Sequence, residues 1–341
     1  MSYQQSQQSK GIFRIAHLSD LHLTSLVDVK TRDLLSKRAL GYLSWRLRRR
    51  REHAPEILAA LLHDLSGLAL DHIVITGDLT HIGLPSEFAQ VRQWLEMLGS
   101  PTDVTVVPGN HDTYVRTPWE NTFALWAPYM ASDPGLRTGQ QQAPGRSFFP
   151  SARIRGHTVL IGATSAHPSA PFFATGSLGV AQMDRLGDVL DLTRRQGLFR
   201  ILLIHHPPMT GMVGWRKQLT DWAALRALLA RYGVEMIVHG HTHRSSVVYL
   251  PEVQDTIPVI GAPSASARRT QPKRCAGYYV HEVRPSSHGW EIRISARIYS
   301  QMDHCFLAGN QQVIRVPCSV TGSLYTTVHP HSHPAQHRQG A

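Results

Sequence analysis

The chain has 341 residues, 42% of them hydrophobic, which supplies enough apolar mass for a sizeable core and excludes a wholly disordered chain. No run of 18 apolar residues exists to cross a membrane, the polar first ten residues lack the apolar stretch of a secretory signal, and three scattered cysteines (Cys275, Cys305, Cys318) make no disulfide framework. The net charge is +11, but Lys37, Arg38, Arg46, Arg48, Arg49, Arg50 and Arg51 crowd one stretch without an acid, leaving 28 bases against 24 acids elsewhere, so the basicity is a patch and not a general field.

In chain order, 1–10 reads as a disordered polar N-terminus and 12–18 as a strand. A helical region at 33–51 and a helix at 55–68 follow, the latter with Pro55 at its first turn. The β-branched run at 72–76 predicts a strand, 86–98 an amphipathic helix, and 104–107 another strand. Strands at 159–163, 201–204 and 236–238 alternate with helices at 179–193 and 220–232. After Arg244 the pattern turns to strands at 246–250, 258–260, 278–283 and 290–297, with 284–289 as the turn of a hairpin. Residues 323–341, with His329, His331, His333 and His337, read as a disordered His-rich tail. Alternating strands and helices followed by strands predict an α/β fold. With no linker between the halves, 11–322 is expected to be a single domain carrying a basic helical insertion at about 31–53.

Five segments stand at or just after predicted strand ends: Asp20-Leu21-His22, Gly77-Asp78, Gly109-Asn110-His111-Asp112, His205-His206-Pro207-Pro208 and Gly240-His241-Thr242-His243. Open α/β sheets place their sites at such ends. Carboxylate, imidazole and amide oxygen together form a ligand set for borderline divalent metals such as Mn, Fe, Co or Zn. In an extended segment residues i and i+2 share a side, so Asp20 with His22, and His241 with His243, can face one place. A lone Asp-x-His is usually surface coincidence. Five such coincidences in order are not.

This order resembles the calcineurin-like metallophosphoesterase superfamily, from Ile12 to His243, about two thirds of the chain. The resemblance implies a four-layered α/β/β/α sandwich and a site for two divalent ions of uncertain identity (Mn, Fe, Zn or Co). It implies that Asp20, His22, Asp78 and His243 hold one ion, and that Asp78 bridges to a second completed by Asn110, His205 and His241. His205 is preferred to His206 because the family ligand is the histidine two before the proline. Hydrolysis would proceed by attack of a metal-bridging hydroxide on phosphorus. His111 resembles the family histidine that contacts the phosphate and protonates the leaving oxygen, and Asp112 is expected to orient it. His81 can face the pocket or sit in an ordinary turn; His17 reads as structural.

The expected activity is that of a phosphodiesterase. The run from Gly77 to Phe88 and the sequence His-His-Pro-Pro resemble the bacterial cyclic-nucleotide phosphodiesterase branch. The alternative is a membrane-associated pyrophosphohydrolase similar to the UDP-2,3-diacylglucosamine pyrophosphatases, with the Arg-rich helix meeting the membrane. A non-catalytic metal-binding scaffold ranks last, because no position of the motif set is missing. Leu40, Leu43 and Leu47 make one apolar stripe in the insertion. It reads as a lid or rim beside the metals, with packing onto the domain or peripheral contact with the inner membrane face as alternatives. The expected location is the cytoplasm. Nothing accompanies the charge that would make specific nucleic-acid binding expected.

Overall fold

A computed structural model describes residues 11–317 except 28, 48, 137–147, 251–256, 269, 270 and 272. The expected disordered N-terminus (1–10) and His-rich tail (323–341), together with Cys318 and Arg48, lie outside the described residues.

The strands are β1 (Phe13–Leu18), β2 (His72–Ile75), β3 (Val104–Val106), β4 (Ser151–Arg155), β5 (Thr158–Gly162) and β6 (Phe199–Leu203). They continue with β7 (Met236–His239), β8 (Ser246–Leu250), β9 (Ile257–Gly261), β10 (Gly277–Ser286), β11 (Gly289–Ser300) and β12 (Cys305–Pro317). Helices are α1 (Arg38–Leu47), α2 (Pro55–Ser66), α3 (Pro85–Leu98), α4 (Ala127–Met130), α5 (Val180–Arg195) and α6 (Trp222–Tyr232). Two six-stranded sheets result, in the orders β12-β11-β10-β1-β2-β3 and β4-β5-β6-β7-β9-β8. β1, β2 and β3 run parallel, as do β5, β6, β7 and β9. Parallel strands share one carboxyl end, so each sheet delivers its post-strand loops to one edge.

Alternation in the second sheet shows how the layers form. Ile201 and Leu203 of β6, with Met236 and Val238 of β7, join Ile15, Leu18 and Ile75 of the first sheet in the main core. Their neighbours Leu202 and Ile237 turn the other way, onto Leu186 and Leu190 of α5 and Leu225 and Leu229 of α6. Ile57 and Leu61 of α2 and Phe88 and Val91 of α3 pack on the first sheet. The result is a helix/sheet/sheet/helix sandwich.

Two strands escaped the sequence pattern. β4 contains Arg153, a buried arginine whose guanidinium donates to the carbonyls of Pro101, Val104, Pro128 and Ala131. β12 is an edge strand with Leu307–Val313 exposed and only Phe306, Ile314 and Val316 buried, so its middle carries no alternating hydrophobic signal. The expected hairpin forms, but its strands reach to Ser286 and from Gly289, leaving only two residues to turn.

Burial of histidine makes the fold acid-sensitive. His281 is fully buried without a hydrogen bond at either ring nitrogen, and burial pushes its pKa down to about 3. His72, bonded only at Nε2 to Thr105 Oγ1, is pushed down to about 3 by burial and by Arg155 and Arg153. Below the ordinary imidazole pKa the unfolded chain takes up these protons and the folded chain does not, so stability falls as pH drops. Each histidine costs about 1.4 kcal/mol per pH unit in that window. These two histidines together should contribute about 4 kcal/mol to the difference in urea stability between pH 7.5 and pH 5.0. His281→Phe should reduce the difference by about 2 kcal/mol; an unchanged slope would refute the account.

Candidate metal centre

The five sequence segments meet where the two sheets come together. Asp20 and His22 follow β1, Gly77-Asp78 follows β2, and Asn110 to Asp112 follow β3; from the other sheet, His205 and His206 follow β6, and His241 and His243 follow β7. Turning the chain so abruptly takes unusual backbone. Among the described residues, seven non-glycine positions have left-handed φ, and five are Asp20 (52°), His22 (43°), Asp78 (57°), His241 (65°) and His243 (50°). Such conformations cost about 1–2 kcal/mol each in L-residues and persist where the surroundings impose them, commonly at functional sites. Gly77 shares this backbone (φ 92°), and a Cβ there would meet Gly109 N at 2.5 Å and His205 Nδ1 at 2.8 Å.

Two groups of donor atoms form. Asp20, His22, Asp78 and His243 each place a ligand atom within 4.8 Å of the others, and His205, His206 and His241 do the same. Asp78 connects them, because its Oδ2 is 3.5 Å from His205 Nε2. Asn110 Oδ1 lies 3.1 Å from the same nitrogen. All of the expected ligands are thus brought together.

The ring nitrogens sort the histidines. His22 Nδ1 donates to Thr80 O at 2.9 Å and His205 Nδ1 to Thr76 O at 2.6 Å, while His241 Nε2 donates to Lys217 O at 2.8 Å. Each keeps its second nitrogen for the centre, the arrangement by which backbone carbonyls orient metal-ligating imidazoles. His206 differs: Nε2 donates to Ala174 O and Nδ1 accepts from Ser165 Oγ, so both nitrogens are engaged.

The field of the pocket calls for positive charge. Asp20 Oδ2 accepts from His241 N, but Oδ1 is buried with no hydrogen-bond donor, 3.2 Å from His243 Nε2. Burial alone would lower the pKa of His205; the Asp78 carboxylate overrides it and raises the value to about 9. Burial and the facing rings of His53, His111 and His81 hold His22 well below the ordinary imidazole value, and burial with His205 does so for His241. The imidazoles of His22 and His241, held neutral, beside an unmatched carboxylate oxygen form a donor set that fits divalent cations.

Asp112 departs from its expected role. Its carboxylate does not reach the His111 ring; it turns back to accept from the backbone N–H of Asp78, Leu79, Thr80 and Gly109 at 2.9–3.0 Å. Neighbours in sequence point apart here, so Asp112 holds the Asp78 loop instead. His111 is oriented by the carbonyl of His81, which accepts from Nδ1 at 2.5 Å. Buried His81 also stacks on His22, with ring centroids 5.1 Å apart. His17 bonds Thr76 Oγ1 and contributes to the core, as expected of a structural residue.

The basic insertion contributes what the motifs do not contain. Trp45 of α1 is buried with Leu26, Ile82 and Leu84, and Arg38 donates to the carbonyls of Ile82 and Gly83. The chain then turns through Arg49–Arg51, and Arg49 Nη1 donates to His111 Nε2 at 2.7 Å. Four residues on, His53 bonds Ser266 Oγ and packs its ring against His22 at 4.5 Å. Sequence reasoning missed Arg49 and His53, since a run of like bases does not reveal which one turns inward. The Leu40–Leu43–Leu47 stripe is exposed, so it does not pack this helix onto the domain.

Residues 13–245 match the calcineurin-like phosphoesterase family. A probable cyclic nucleotide phosphodiesterase from Synechococcus is 24% identical over 245 residues, 69% of this chain and 80% of the relative. A cAMP/cGMP dual specificity phosphodiesterase from Mycobacterium tuberculosis is 30% identical over 199 residues, 57% of this chain and 55% of the relative. Among solved structures, a dimetal phosphatase from Danio rerio has a TM-score of 0.54 at 12% identity, covering 91% of this chain and 100% of that one. A purple acid phosphatase from yellow lupin has a TM-score of 0.53 at 12% identity over 89% of this chain and 54% of its own. These structures are alike in fold. Among the described residues no helix is long and apolar enough to cross a membrane. With more than half its length matched and the motif residues gathered in one pocket, the chain belongs to the calcineurin-like phosphoesterase family and is a metal-dependent phosphoric ester hydrolase.

Proposed function

We propose that the protein is a phosphodiesterase with a two-ion centre, acting on a cyclic nucleotide. The observation that carries the two-ion reading is the position of Asp78, within one donor group and 3.5 Å from His205 of the other. Asp20, His22, Asp78 and His243 would hold one ion; Asp78, Asn110, His205 and His241 would hold the second. Divalent ions such as Mn, Fe, Zn or Co supply Lewis acidity there, neutralising phosphoryl charge and making hydroxide available near neutral pH. The functional unit is 11–322 taken as one domain, because its ligands come from both sheets. Relatives named as cyclic nucleotide phosphodiesterases support the substrate class.

His111 is the residue that contacts the phosphoryl group. Its Nδ1 is committed to the His81 carbonyl, so Nε2, which accepts from Arg49 Nη1 in this structure, is the ring atom that would serve a substrate oxygen. His111→Ala should keep both metals and lose roughly 10²–10³-fold in kcat. Metal analysis that finds the ions depleted in this variant would remove that role.

One observation favours a lipid-linked pyrophosphate as a second reading. Beside the donor groups a cleft of about 480 Å³ is lined by Leu40, Leu43, Leu47, Phe172 and Phe173 and opens onto Asn110 and His111. An acyl chain would fit such a wall, and the exposed bases of the insertion would meet an anionic membrane face. The deciding experiment compares Mn²⁺-loaded protein on 3′,5′-cyclic AMP and on UDP-2,3-diacylglucosamine, with Asp78→Ala as blank. Turnover of the nucleotide alone supports the proposal; turnover of the lipid alone replaces it with the second reading.

A further inference from the structure

We propose that Arg49 is a substrate-binding residue: its guanidinium takes a non-bridging oxygen of the phosphoryl group, releasing His111 Nε2 for the substrate. The insertion is thereby a working part of the site. Arg49 is half-buried, and among the described residues it forms no ion pair with a carboxylate; its side-chain hydrogen bonds go from Nη1 alone, to the ring of His111. A guanidinium has five N–H donors in a planar fork that matches phosphate oxygens. Nε and Nη2 make no hydrogen bond among the described residues, and Arg49 lines both clefts of the site. The Asp78 and Asp20 carboxylates act on this cation through space without pairing with it, so the place of a direct anionic partner is left to an incoming phosphoryl oxygen.

Position supports the same role. A cleft of about 700 Å³, lined by Arg49, Asp78, Asn110, His111, His241 and His243, reaches members of both donor groups. Arg49, Asn110, His111 and Ala174 also line the adjoining apolar cleft, so Arg49 stands at the junction a phosphoryl group with two substituents would occupy. Its backbone is fixed from both sides. Trp45 is buried before it, and after it His53 bridges to Ala267 and Glu52 O accepts from Arg268 N at 2.6 Å. A side chain held this way is preorganised, which is what makes electrostatic stabilisation effective.

The proposal rests on the phosphodiesterase reading for its substrate, but its anion can be tested separately. Mn²⁺-loaded wild type, R49Q and R49K would be titrated calorimetrically with inorganic phosphate and assayed on bis(p-nitrophenyl) phosphate, with metal content and melting temperature recorded. R49Q should lose at least tenfold in phosphate affinity and roughly a hundredfold in kcat/KM, with metal content and melting temperature unchanged. R49K should stay within about tenfold of wild type, because it restores the charge without the fork. Phosphate affinity within twofold of wild type in R49Q would overturn the proposal, leaving Arg49 as a positioning residue for His111. Loss of metal in R49Q would overturn it too. If wild type binds phosphate through Arg49 but cleaves no diester, the phosphodiesterase reading fails and the role of Arg49 stands.

Discussion

Replacing Asp78 with alanine is expected to lower turnover of any phosphoester by roughly a thousandfold or more and to reduce metal content below one ion per chain. No other side chain is shared so widely. Asp78 sits within 4.8 Å of the donor atoms of Asp20, His22 and His243, and its Oδ2 faces His205. Its Oδ1 accepts from His111 N at 2.7 Å, fixing the backbone that carries Asn110 and His111. Alanine removes the charge that both donor groups need and the acceptor that orders the third loop. Asp78→Asn separates these effects, since an amide oxygen can keep the bond to His111 N while the charge is lost. Two ions bound and a tenth of the activity in Asp78→Ala would sink the proposal that Asp78 is shared between the two ions. Metal analysis by mass spectrometry alongside initial rates reads both quantities.

Gly109→Ala is expected to be nearly as damaging while leaving every ligand in place. A Cβ on Gly109 would lie inside contact distance of Asp78 Oδ1 and Asp78 N. Asp78 N is backbone, and it is also tied to Asp112, so the obstruction cannot be cleared by a rotamer change. Overpacking against fixed backbone costs about 3 kcal/mol or more, enough to deprive a marginal domain of much of its stability. The variant should express poorly, melt about 10 °C lower and bind metal weakly. A soluble Gly109→Ala with two tightly bound ions would show that the Asp78 loop is more yielding than its hydrogen bonds indicate.

The donor set was legible because each of its members lies within four residues of a strand end, and strand ends are local features of sequence. What was not legible depends on distance along the chain. Arg49 reaches His111 across 62 positions, and nothing in Arg48-Arg49-Arg50-Arg51 distinguishes the second arginine from its neighbours. Only the seating of Trp45 and the bridge at His53 single it out. Asp112 misled for the opposite reason: adjacency to His111 suggested a partnership, whereas the carboxylate serves N–H groups more than thirty positions away. β4 was hidden by arginines that a buried strand does not normally contain, although Arg153 is satisfied by four carbonyls. β12 buries only Phe306, Ile314 and Val316, near its two ends, so no continuous alternation announced it.

The left-handed backbone at Asp20, His22, Asp78, His241 and His243 sets stability and function against each other. Glycine would relieve all five positions, and asparagine would ease several. A laboratory selection for thermal tolerance alone, with no demand for hydrolysis, would thus drift toward a sturdier molecule with its donor atoms deleted. That these five positions instead carry two carboxylates and three imidazoles places the strain where the donor atoms are, so stability is given up at the positions that gather them.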